Sequence, residues 1–285
     1  MTDTQLPPPA IVLNVGKSGA GKTGAVLALA KRGFRVRVAD FDKAAAQVFY
    51  GIMHDAQGRL KPEYAKVPPL LDVVSFADKL KPVGGKIKLA GFESAWERFL
   101  KAQDNWTAAD GSRPGGLFSW GRDTVFVIDT LTAMSNAAMR YIMKLNGREG
   151  ENPSQPNWGD AMRGVEDVLS LLRFGPTECH VVVNAHIQFL EGEDGKIEGL
   201  PLTLGNKLAP KIPALFPVMV RTANTAGPGG GRKILTSGDS RMELKVPVSE
   251  LDPALSQADG LATIFARLGW GAPPPPQAQP EEKAA

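Results

Sequence analysis

The chain has 285 residues, 43% of them apolar, with a formal net charge of +3 and one cysteine. That size suits one α/β domain with embellishments, and a lone cysteine excludes an intrachain disulfide and a cysteine-rich metal cluster. No apolar run approaches the roughly 20 residues that cross a bilayer and Met1-Thr2-Asp3-Thr4 lacks the features of a signal peptide, so a cytoplasmic protein without membrane contact is expected; the mild basicity permits nucleic-acid binding without demanding it.

Residues 1–9 end in Pro7-Pro8-Pro9 and predict a stiff, disordered lead with nothing to pack. The folded domain is expected over 10–270. Ile11-Val12-Leu13-Asn14-Val15 reads as a buried strand, and Gly16-Lys17-Ser18-Gly19-Ala20-Gly21-Lys22-Thr23 fits G-x-x-x-x-G-K-[ST]. Glycines there let successive N–H groups curl round a phosphate. Lys22, expected to be exposed, would meet the β- and γ-phosphates, and the Thr23 hydroxyl would ligate Mg²⁺. Ala25 to Lys31 then reads as a helix whose N-terminus faces the phosphates. This is the phosphate-binding loop of P-loop nucleoside triphosphatases, with ATP and Mg²⁺ as the expected ligands.

Beyond Gly33, Phe34 to Asp40 alternates as a second strand ending in Asp40-Phe41-Asp42, and a short helix over Lys43 to Tyr50 follows. Residues 51–69 form an excursion, and Leu70 to Phe76 a further strand. Phe92 to Leu100 has helical periodicity, with Trp96 and Phe99 in the core. Thr124-Val125-Phe126-Val127-Ile128-Asp129 is a buried strand with an acid at its carboxyl end. Ala133 to Leu145 is predicted helical, with Met134, Ala138, Tyr141, Ile142 and Leu145 on one face. Residues 146–160 lack periodicity and read as a long loop, and Ala161 to Arg173 as a helix. Cys179, beside an apolar run, reads as a core residue. His180 to His186 is another buried strand. Phe216 to Asn224, Arg232 to Thr236 and Met242 to Val248 read as β segments, with a tight turn at 227–231. Leu251 to Leu268 allows a last helix, and the Pro-rich tail 271–285 is expected to be disordered.

Alternating strands and helices imply a mostly parallel sheet covered on both faces, with antiparallel strands added at one edge. Ligands bind beyond the carboxyl ends of such strands, which gathers Gly16–Thr23, Asp42, Asp129 and Asn184 at one rim. Asp129 is read as the Mg²⁺ acid, although an Asp in that place also caps helices, a task open to Thr130 or Thr132. Asp42 is the candidate for activating water, with Asp40 in reserve. The Asn184 amide is placed to sense the γ-phosphate; His186 alone signals little.

Asp40-Phe41-Asp42-Lys43-Ala44 resembles the strand-end acidic motif of RecA-type ATPases. Asp129-Thr130-Leu131-Thr132 resembles their Walker B strand, and His180 to His186 their sensor strand. With Asn157-Trp158-Gly159-Asp160, the set is most similar to phage-encoded RecA-like ATPases, including single-strand-annealing recombination proteins of the Sak type. Asp42 is a methylene shorter than the family's usual Glu, which separates strong hydrolysis from binding. The resemblance implies a RecA-like core and a DNA-dependent ATPase acting on single-stranded DNA in phage recombination or replication, in the host cytoplasm. It also implies a homo-oligomeric ring or filament and a phage or host single-strand-binding protein as a further partner.

In that family the segments matching 146–160 and 187–210 contact DNA. The first carries Arg148 and Trp158, an indole able to stack on a base or to anchor the loop. Between Leu200 and Gly238 there is no acid, yet Lys207, Lys211, Arg221, Arg232 and Lys233 occur. The DNA candidates are Arg148, Trp158, Lys207 and Lys211, with Lys211 or Arg221 as an alternative finger into a neighbour's ATP site. Gly16–Thr23 also resembles the loop of ParA/MinD-type dimeric ATPases, whose extra lysine would be Lys17; Ser18 and Leu131-Thr132-Ala133-Met134 depart from that pattern. A nucleotide-binding structural protein with little turnover is the third reading.

Overall fold

The computed structural model describes residues 6–191, 195–225 and 230–273. The expected disordered tail from 274 onward, residues 1–5 of the lead and most of the 227–231 turn lie outside them.

Among the described residues the strands are β1 (Ile11–Val15), β2 (Arg35–Asp40), β3 (Leu71–Ser75), β4 (Leu80–Val83), β5 (Lys86–Leu89), β6 (Thr124–Asp129), β7 (His180–Ala185), β8 (Ile187–Glu191), β9 (Ile197–Pro201), β10 (Val218–Thr225), β11 (Gly231–Leu235) and β12 (Ala254–Ser256). The helices are α1 (Lys22–Ala25), α2 (Leu27–Lys31), α3 (Ala45–Met53), α4 (Ala95–Asp104), α5 (Leu131–Leu145), α6 (Gln155–Phe174), α7 (Gly205–Leu208) and α8 (Gly260–Arg267). Eight strands form one sheet in the order β12-β11-β10-β1-β7-β6-β2-β3. Pairing is parallel from β10 to β3, whereas β11 and β12 join antiparallel. The α/β class and the antiparallel edge are therefore as expected.

The central strands are apolar almost throughout because both sheet faces are covered. Leu13 and Val15 of β1 face a core with Trp96, Phe99, Met134 and Leu169 from α4, α5 and α6. Val12 faces the other core, with Leu29, Phe49 and Phe265 from α2, α3 and α8. Trp96 and Phe99 are thus core residues, 4% and 1% exposed. Cys179 is buried, and burial pushes its thiol up to about 12, so it is an inert core residue.

Several boundaries differ from the sequence reading. Helix α6 begins at Gln155, so the loop expected to reach 160 stops at Ser154. Asn157 Oδ1 accepts from the Ser154 N–H at 2.9 Å, a cap that starts the helix well ahead of Ala161. Leu145, expected on the buried face of α5, is 61% exposed. Met242 to Val248 is not a strand; it carries two isolated bridges, Met242 to Asp239 and Lys245 to Met219. The predicted helix over 251–268 is confined to Gly260–Arg267, because β12 takes up 254–256. Pro7 and Pro8, read as having nothing to pack against, are held by their carbonyls: Arg122 donates to one and the Trp270 indole to the other.

The amino end of the sheet is tied by His180. Its Nδ1 accepts from Ala10 N and its Nε2 donates to the Arg122 carbonyl, each at 3.0 Å. Burial pushes its pKa down to about 4. The folded state therefore binds fewer protons than the unfolded chain, whose imidazole titrates near 6.5. Stability should be complete above that pH and decline towards pH 4, by up to about 3 kcal/mol. Denaturation measured between pH 7 and 4 should show this slope, and His180→Gln should flatten it.

Candidate nucleotide site

The site lies where four central strands end. Parallel register sets Asp40 of β2 beside Asp129 of β6, Asp129 beside Asn184 of β7, and Asn184 beside Asn14 of β1. One row across the sheet therefore carries polar side chains, all on the face covered by α1 and α2.

Gly16 to Gly21 join β1 to α1. Glycine is required at two points. A Cβ on Gly16 would stand 2.3 Å from the Thr222 carbonyl oxygen, and Gly21 has φ of 103°, a region that side chains disfavour. Lys22 is 5% exposed rather than open at the rim. Its ammonium donates to the Gly16 carbonyl at 2.9 Å and the Lys17 carbonyl at 3.0 Å, and lies 3.3 Å from His186 Nδ1. An ammonium can only donate, which makes this Nδ1 an acceptor on a neutral ring. Burial lowers the Lys22 pKa, opposed by Asp129 and then Asp42. Lys17 and Ser18 are exposed.

Thr23 Oγ1 donates to Asp129 Oδ2 at 2.7 Å, and Asn184 Nδ2 to Asp129 Oδ1 at 3.0 Å. Asp129 is 2% exposed. Burial pushes its pKa up to about 6, against those two hydrogen bonds. A hydroxyl and a carboxylate this close are hard oxygen donors of the kind Mg²⁺ takes from proteins, the rest of its shell being phosphate and water. Among the described residues no cluster of three His, Cys, Asp or Glu could hold a metal by itself.

The two acids after β2 differ sharply. Asp40 caps α3, accepting from Ala45 N at 3.0 Å and Ala44 N at 3.4 Å. Asp42 is exposed and accepts from Thr130 Oγ1 at 3.0 Å. Thr130 in turn caps α5, accepting from Ala133 N. Asp42 is thereby tethered to the residue that follows Asp129. Asn184, read as a γ-phosphate sensor, is turned inward instead. Its amide is fully buried and spent on Asp129 and Asn14. His186, just beyond that strand, reaches the loop with its side chain and lies next to Lys22.

The DNA candidates are spread apart. Arg148 pairs with Glu151 at 3.1 Å, Trp158 packs against the core from the first turn of α6, Lys211 pairs with Glu166 of α6 at 3.2 Å, and Lys207 is exposed on α7. The proposed alternative finger Arg221 pairs with Asp239. Most of the 187–210 segment is not an open loop: β8 and β9 form a hairpin, fastened at its base by Thr132 Oγ1 donating to the Leu202 carbonyl.

Sequence reasoning missed Asn14, Thr222 and Gln257, and named Arg232 only within the basic stretch, not beside the phosphate loop of its own chain. Gln257 Nε2 donates to the Gly21 carbonyl at 2.8 Å, and the Arg232 side chain lies against Gly21. Asn14 had a signal, being the one polar residue in an apolar strand. Gln257 had none, because its contact spans most of the chain.

A family model described as AAA domain (AAA_24) matches residues 9–245. No curated protein matches the chain. Among solved structures, the flagellar accessory protein FlaH from Methanocaldococcus jannaschii is similar at 10% identity, over 81% of this chain and 77% of that one, with a TM-score of 0.38.

The two acids make separable predictions. Asp40→Ala should cost about 1 kcal/mol of stability in thermal denaturation, the usual worth of a helix cap. Asp42→Asn should leave stability and nucleotide affinity unchanged and slow hydrolysis about 10²-fold. A larger rate loss in Asp40→Asn would reverse the assignment.

Proposed function

The chain belongs to the AAA_24 family of AAA domains, P-loop nucleoside triphosphatases, and we propose that it is a Mg²⁺-dependent ATPase whose cycle acts on single-stranded DNA. The observation that carries the ATPase reading is the hydrogen bond from Thr23 to Asp129, beside the Lys22 ammonium.

Lys22, held by carbonyls of its own loop, exchanges those partners for the β- and γ-phosphates of ATP. Thr23 and Asp129 would hold Mg²⁺, which would supply charge stabilisation at the phosphates. Asp42, steadied by Thr130, accepts the proton of the attacking water. Its short side chain leaves more distance to span than a glutamate would, so turnover is slow. Slow chemistry suits an ATPase whose bound state does the work and whose hydrolysis resets it.

The DNA part of the proposal is supported by the acid-free stretch with Lys207 and Lys211 and by the resemblance to phage RecA-like ATPases. A homo-oligomeric ring or filament would bring a neighbour's basic residue to each ATP.

ATP hydrolysis with and without single-stranded DNA is the deciding experiment. DNA should raise the rate, and Lys22→Ala should remove ATP binding from a folded protein. Log affinity for DNA should fall with log salt by about 0.7 per phosphate contact, and Lys207→Ala with Lys211→Ala should flatten that slope. No DNA binding at about 50 mM salt, where such contacts are strong, would leave an ATPase with a protein partner.

A further inference from the structure

A chain of side-chain hydrogen bonds crosses four adjacent strands. Thr222 Oγ1 on β10 donates to Asn14 Oδ1 at 2.6 Å, and Asn14 Nδ2 donates to Asn184 Oδ1 at 2.9 Å. Asn184 Nδ2 then donates to Asp129 Oδ1 at 3.0 Å. Thr222, Asn14 and Asn184 are all 0% exposed. The polarity runs one way. An ionised carboxylate can only accept, so Asn184 must present its NH₂ to Asp129 and its oxygen to Asn14. Asn14 must then present its own NH₂ to Asn184, which leaves its oxygen for the Thr222 hydroxyl. Each member fixes the amide orientation of the next.

We propose that Asn14 and Thr222 are positioning residues which, through Asn184, hold the Asp129 carboxylate in the orientation that meets Thr23 and a divalent cation. The proposal rests on the ATPase reading given above. The relay leaves the second carboxylate oxygen of Asp129 facing Thr23. Apolar residues would fill positions 14 and 222 without needing partners, as Val12 on β1 and Val220 on β10 do. The polar pair instead terminates on the acid. The same Thr222 also abuts Gly16 through its carbonyl. One residue of β10 therefore sets both the start of the phosphate loop and the far end of the relay. Groups that orient metal ligands shift metal affinity when lost, without touching the metal.

The test is binding of a fluorescent ATP analogue titrated with Mg²⁺. Thr222→Val, equal in shape and without the hydroxyl, should raise the half-saturating Mg²⁺ concentration about tenfold, with affinity in EDTA unchanged. Thr222→Ser should restore the wild-type midpoint, which a purely structural role for the methyl-bearing side chain would not. Asn14→Ser should shift the midpoint in the same direction. Lower thermal stability in Thr222→Val with an unmoved Mg²⁺ midpoint would overturn the relay while leaving the ATPase reading intact. Nucleotide binding by the wild type that ignores Mg²⁺ would overturn both.

Discussion

A carboxylate sealed from water keeps its charge only where donors and cations replace the lost hydration. Asp129 is such a group, and the surrounding architecture answers that demand. Thr23 and Asn184 each donate to one of its oxygens, and the Lys22 ammonium lies close enough to interact. The acids Asp40 and Asp42 work in the opposite direction, raising its pKa by repulsion. The balance leaves a carboxylate that gains from a divalent cation and a lysine that gains from phosphate. Both groups are destabilised by burial in opposite senses, and Mg²⁺ with a polyphosphate satisfies both. On the proposed reading, affinity for that ligand follows from burying the pair.

The sheet makes this arrangement possible. Parallel strands end at one rim, and equal register aligns their last residues across the sheet. Helices on both faces then exclude water from the row. On the helix side, Thr23 reaches Asp129 because α1 starts directly beyond the loop. At the far side of the row, Asp40 serves α3 as a cap. Asp42, two residues on, lies beyond the end of β2, exposed and bonded to Thr130. Spacing after the strand, more than residue type, separates a buried capping acid from an exposed one.

Strands β1, β6 and β7 were legible because burial on both faces demands continuous apolar runs. The phosphate loop was legible because its glycines answer a local backbone requirement. What failed to show had non-local causes. The start of α6 depends on the cap between Ser154 and Asn157, while Gly159 and Pro156 hide the helical period. The β4–β5 hairpin turns through Gly84-Gly85, both with positive φ, and its strands are too exposed to stand out as apolar runs. Asn184 was read as facing phosphate because strand order was unknown. Once β7 lies between β1 and β6, its amide has buried partners on both sides.

The fastening of Pro7 and Pro8 by Arg122 and Trp270 brings the first and last described segments together at the amino end of the sheet. The nucleotide rim is at the other end. A module fused to either segment would therefore emerge on the pole opposite the ATP site, clear of the rim loops. The same arrangement makes the polypeptide a candidate for circular permutation, since a short bridge would join neighbours in space.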